Sequence, residues 1–118
     1  PDLVAISAAI HDEYFDVEAI SFNADAEEVR LLIFRGETEK HFIGWSSRPA
    51  REPLPPPMAE LVIRGVVRMS VKDDAGIGWV DVHGITYDET RGVVRLSSNV
   101  PVVITCDVRA LDVDLIRH

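Results

Sequence analysis

The chain says nearly the same thing twice, 65 residues apart, and this echo limits its fold more than any other feature. Asp16 to Leu31 reads DVEAISFNADAEEVRL, and Asp81 to Leu96 reads DVHGITYDETRGVVRL. Without a gap, Asp16/Asp81, Val17/Val82, Ile20/Ile85, Val29/Val94, Arg30/Arg95 and Leu31/Leu96 are identical. Ser21/Thr86, Phe22/Tyr87 and Asn23/Asp88 are close substitutes. In each copy an apolar run stops at an aromatic-Asx pair and another resumes after a polar stretch. Asn and Asp bond their own main chain and start turns, so each copy predicts a β-hairpin. Gly92 can supply the positive φ that longer hairpin loops need. The first copy has Glu27 there instead, which predicts a turn built differently or more loosely.

Two origins of the echo stay open. A duplicated unit predicts half-repeats around residues 11–45 and 59–116, joined by the proline-rich segment 46–57. It puts Ile20 and Ile85, and Leu31 and Leu96, at equivalent buried positions, with Arg30 and Arg95 facing outward. Alternatively, any two hairpins rich in aromatic and β-branched residues look alike.

At 118 residues the chain fits one domain with a single core. The formal charge of −8 argues against nucleic-acid phosphates and anionic membranes, which draw on clustered Lys and Arg. It suits a basic protein partner. Cys106 is the single cysteine, so no internal disulfide exists, and its apolar setting VVITCDV reads as a buried thiol. No run approaches the roughly eighteen apolar residues of a membrane helix, and no basic segment precedes an apolar one. The expectation is a cytoplasmic protein.

Along the chain, Leu3, Ile6 and Ile10 share a helical face with Asp2 as N-cap, although Val4, Ile6 and Ala8 also fit a strand. Asp16 to Phe22 and Glu28 to Arg35 make the first hairpin, followed by a brief strand His41 to Trp45. Ser46 to Pro57 has five prolines in twelve residues, extended chain that reads as a stiff crossover; its PxxP is also the grammar of ligands for aromatic grooves. Leu61 to Val71 alternates as one long half-exposed strand. Gly84 within the second hairpin marks a bulge or a close backbone approach. Near Ala110-Leu111 the apolar phase changes, which means a bulge or a switch between sheets. The sum is a mainly β fold: a two-layer sandwich or partly open barrel of about seven to eight strands, with a short N-terminal helix capping one open end.

Chemistry is sparse. The histidines are dispersed without metal-ligand spacing, no Ser pairs with a His and an acid, and Gly76-Ile77-Gly78 lacks the third glycine and following helix of a phosphate cradle. No catalytic residue, metal site or cofactor is indicated. Two functional readings result. One is a non-enzymatic protein-binding module, with Trp45 and Trp79 as aromatic anchors for a protein partner or a second copy of the chain; for Trp79, core packing is the stronger reading. The other is a small-molecule-binding or enzymatic β-barrel with its mouth near His11, Asp12 and His83, provided the hairpins bring these together.

The opening HDEYFDVEAISFNADAEEVRLLIF resembles the His-Asp start and alternating hairpin of small uncharacterised bacterial β-rich proteins, some grouped with toxin-immunity proteins. The resemblance covers about a quarter of the chain and transfers no catalytic residue. It implies a small bacterial β domain that binds a protein.

Overall fold

The structure, a computed structural model, describes residues 2–35 and 56–118. Asp2 does cap a helix: its Oδ1 accepts from the Ala5 N–H at 3.1 Å, and α1 runs Leu3–Ile10. Nine strands follow among the described residues: β1 Tyr14–Asp16, β2 Ser21–Asn23, β3 Glu28–Ile33, β4 Ala59–Arg64, β5 Val66–Lys72, β6 Trp79–Asp88, β7 Val93–Ser98, β8 Val103–Val108 and β9 Val113–Arg117. They form two sheets, in the orders β1-β6-β7-β8-β5 and β2-β3-β4-β9, with antiparallel pairing throughout. The protein is mainly β, as its alternation predicts.

The two hairpins share one register. Ser21 pairs with Arg30 and Phe22 with Val29 in the first; Thr86 pairs with Arg95 and Tyr87 with Val94 in the second. The turns agree as well. Asn23 Oδ1 accepts from Ala26 N at 3.1 Å, and Asp88 Oδ1 accepts from Arg91 N at 3.2 Å. Glu27 takes φ +54° where Gly92 takes +66°. A differently built first turn is therefore not what forms: Glu27 adopts the left-handed conformation in glycine's place. Leu31 and Leu96 are both fully buried. The correspondence stops upstream, where Val17–Ala19 form a 3-10 turn while their counterparts continue strand β6. Ile20 is accordingly only partly buried, whereas Ile85 is 3% exposed.

Equivalence extends outward from the hairpins. β3 is followed in its sheet by β4, as β7 is by β8, and the edge beyond is β9 in one sheet and β5 in the other. In the chain, the proline-rich stretch lies between the hydrogen-bonded neighbours β3 and β4. Most of it, with the PxxP and the strand expected at His41 to Trp45, lies outside the described residues.

The exchange explains the one long strand expected over Leu61 to Val71. Gly65, at φ +72°, turns the chain out of one sheet and into the other, so β4 and β5 are separate. Val66 is then buried and Val67 is 47% exposed, a shift of phase that simple alternation does not anticipate. The return crossing is β8 to β9 through residues 109–112, the sheet switch anticipated from the phase change. The two crossings touch. Arg109 N donates to Gly65 O at 2.9 Å, and Arg64 N to Asp112 O at 2.9 Å. Each also meets a hairpin turn: Val66 N donates to Glu27 O and Val108 N to Gly92 O, both at 2.8 Å.

Between the sheets lies one apolar cluster that includes Phe15, Val29, Leu31, Ile63, Trp79, Leu96, Ile104 and Cys106, each at most 1% exposed. α1 packs on β6 and touches β9, so it bridges the two layers at one side. It also covers an edge. β1 covers β6 at Trp79, Val80 and Asp81, while its Tyr14 also bridges Phe34, and beyond that point the outer side of β6 lacks a strand neighbour among the described residues.

Candidate functional site

The polar groups along that edge are met by α1 and the turn after it. Ser7 Oγ accepts from Ile85 N at 3.1 Å, Asp12 N donates to Val82 O at 2.9 Å, and His11 Nδ1–H donates to His83 O at 2.8 Å. Unpaired strand groups left bare would invite edge pairing with another chain; here side chains and backbone of the N-terminal segment occupy them. Gly84 permits the approach. The β6–β7 register shifts between Val82 and Gly84, a bulge, and a Cβ at Gly84 would lie 3.1 Å from Ser7 Oγ. Both readings of this glycine, bulge and close approach, hold together.

His11, Asp12 and His83 are thereby brought into one place. The His11 and His83 rings stand edge to face with centroids 5.8 Å apart, and His11 Nε2 is 3.5 Å from Asp12 Oδ2. The bond from Nδ1 fixes the His11 tautomer and leaves Nε2 as the nitrogen that faces Asp12 when the ring is neutral. His11 therefore has a building role, holding the carbonyl of the bulge. Among the described residues no group of three or more His, Cys, Asp or Glu side chains is arranged to hold a metal ion.

Beside the histidines an open groove of about 730 Å³ runs between α1 and β6. Leu3, Val4 and Ala8 of the helix face Ile85 and Tyr87 of the strand across it, with His11 and His83 at one end. Val4 is 82% exposed, the largest exposure among the sizeable apolar side chains described.

Trp79 does not serve as a surface anchor. It is 1% exposed and sits in the core at the start of β6, so its apolar ring is spent on packing between the layers. Trp45 lies outside the described residues. Gly76 and Gly78 offer no anion cradle, because Asp73 takes the neighbouring donors itself: Ile77 N and Gly78 N give 2.7 Å bonds to its two oxygens. The wet acids of the last strands go to arginines, Asp107 to Arg68 and Asp112 and Asp114 to Arg64.

Of the groove's apolar stripe only Leu3 was on the helical face read from the sequence; Val4 and Ala8 belonged to the strand alternative, which the helix α1 excludes. The exposure of Val4 was not legible, since periodicity tells which residues share a face but not which face is covered. Comparison of the chain with protein-family models, with curated proteins and with solved structures finds no match.

Proposed function

We propose that the chain is a non-enzymatic protein-binding module, immunity-like in its mode of action, that receives its partner at the α1–β6 groove. The observation that carries the reading is an open apolar stripe rimmed by polar side chains, with Val4 standing 82% exposed on a helix whose other face is docked. Soluble domains seldom leave such a side chain bare without a use for it when it adjoins further apolar surface. The charge of −8 favours a basic partner through steering. Within the same reading, the matched hairpins and exchanged last strands are two copies of one unit, and the groove belongs to the second copy, where α1 packs on β6.

A direct test compares the wild-type chain with Val4→Glu in equilibrium binding to host extract fractions. A saturable partner retained by the wild type and released by V4E, with circular dichroism unchanged, is expected. A partner held equally by both, or none, defeats the proposal.

A second reading has one observation in its favour: His11, Asp12 and His83 do converge at the end of a groove large enough for a small molecule. A ligand there would raise the melting temperature in a metabolite panel, and His83→Ala would abolish that rise. A flat panel removes this reading.

A further inference from the structure

The matched halves differ sharply at one equivalent pair, Arg30 and Arg95. Both sit at the same register position of the inner hairpin strand, opposite Ser21 and Thr86 respectively. Arg30 is neutralised: Nε lies 2.5 Å from Glu28 and Nη1 lies 2.7 Å from Glu60. In the second half the position of Glu28 is held by Val93, opposite Asp88 as Glu28 is opposite Asn23. The position of Glu60 falls to Val103, because Arg30 pairs with Val62 as Arg95 pairs with Thr105, and Glu60 and Val103 each stand two residues earlier. Both carboxylates that quench the first arginine are therefore valines around the second.

Arg95 makes no ion pair with any described residue, and neither does Lys72, whereas Arg30, Arg64, Arg68, Arg91 and Arg109 each reach a carboxylate. In a chain carrying −8, two cations on one sheet face left without a carboxylate among the described residues are against the general balance. They line the same groove, of about 530 Å³, on the outer face of β7, β8 and β5. Pro101 and Val103 supply its apolar wall and Thr105 and Ser70 its hydroxyls; Asp74 also lines it. Asp107, the nearby acid on β8, is turned to Arg68 with Nη2 2.7 Å from its Oδ2.

We infer that this groove is a binding site for a small organic carboxylate, independent of the α1–β6 groove. Arg95 presents a planar fork that matches a carboxylate in two parallel bonds. Lys72 adds a point charge, the hydroxyls of Ser70 and Thr105 bond each other and leave one O–H to donate to a ligand, and Val103 and Pro101 receive an apolar body next to the charged end. Volume and composition are those of a small-molecule site and not of a phosphate cradle, which would present a row of backbone N–H groups.

The test is a titration of the isotope-labelled full chain with benzoate at constant ionic strength, following the backbone amides of Val103 and Thr105 by NMR, with inorganic phosphate as the second arm. Saturable shifts centred on these residues are expected, weakened at least tenfold in Arg95→Gln and severalfold in Lys72→Gln, and unchanged in Arg30→Gln. Phosphate should bind more weakly than benzoate. Shifts that do not saturate, or that persist in R95Q with the fold intact, overturn the assignment; so does phosphate binding as tightly as benzoate.

Discussion

Glu27 and Gly92 hold the same place in the two hairpin turns, at φ +54° and +66°, and each offers its carbonyl to the first or last residue of a sheet crossing, Val66 or Val108. The turn and the crossing are thus one construction made twice. In the first, the residue is not glycine and its side chain is used: Arg109 reaches Glu27 Oε2 at 2.8 Å and holds its carboxyl below the usual range through hydrogen bonding and charge. In the second, the residue is glycine and brings no side chain to the crossing.

Gly92→Ala should therefore be costly. A Cβ there would lie 3.1 Å from Val108 O, and an L-residue pays for left-handed φ in addition. Destabilisation of about 1–2 kcal/mol is expected, read as a lowered urea midpoint with unchanged slope. An unchanged midpoint would mean that the second turn tolerates a side chain at positive φ as the first does with Glu27.

Gly84 differs, because it has no positive φ and only space is at stake. Gly84→Ala should push Ser7 away, weaken its bond to Ile85 N and speed hydrogen exchange at that amide, at a cost of about 1 kcal/mol. Ser7→Ala loses the bond but leaves room. The double variant should be less destabilised than the sum of the two singles, since the clash and the bond involve the same oxygen. Strict additivity would separate α1 docking from the Ser7–Gly84 contact.

The fold class was legible because it rests on period-two burial, and the pattern of Val29, Leu31 and Ile33 states that plainly; all three are fully buried. The sheet switch after β8 was visible for the same reason, as a slip of phase. The break at Gly65 was hidden, since a glycine fits any phase and the apolar residues on either side stayed in step while the chain changed sheets. Proximity of His11 to His83 depended on a helix lying along a strand edge, a contact between residues 72 apart in the chain that no local pattern encodes. The quenching of Arg30, against an Arg95 that has no ion pair among the described residues, needed the register of β4 and β8, because Glu60 and Val103 are remote in sequence from the hairpins they serve.

Trp79 supplies a prediction that separates packing from recognition. Its ring is 1% exposed, so Trp79→Ala should cost about 3–5 kcal/mol, while Trp79→Phe should cost much less and keep any partner. Chemical denaturation followed by circular dichroism measures both. If W79F lost a partner at full stability, Trp79 would have to be reached by that partner after all.

Cys106 gives a pH dependence with a defined sign. Burial, and then the neighbouring negative charge of Asp107, push its thiol from 9.0 up to about 12. The folded state therefore keeps the proton over a range in which the unfolded chain releases it. Below pH 9 both states are protonated and the contribution to stability is fully present; above that it declines, and it is gone once the folded thiol ionises near 12. Urea midpoints should fall between pH 9 and 11 in the wild type. In Cys106→Val the part of this fall due to the thiol should disappear, whatever the offset from repacking. The native thiol should also resist a disulfide reagent at pH 8 and react on unfolding, because only the thiolate attacks and this one is both protonated and enclosed. Rapid labelling of the native chain at pH 8 would place Cys106 at the surface and remove the slope argument with it.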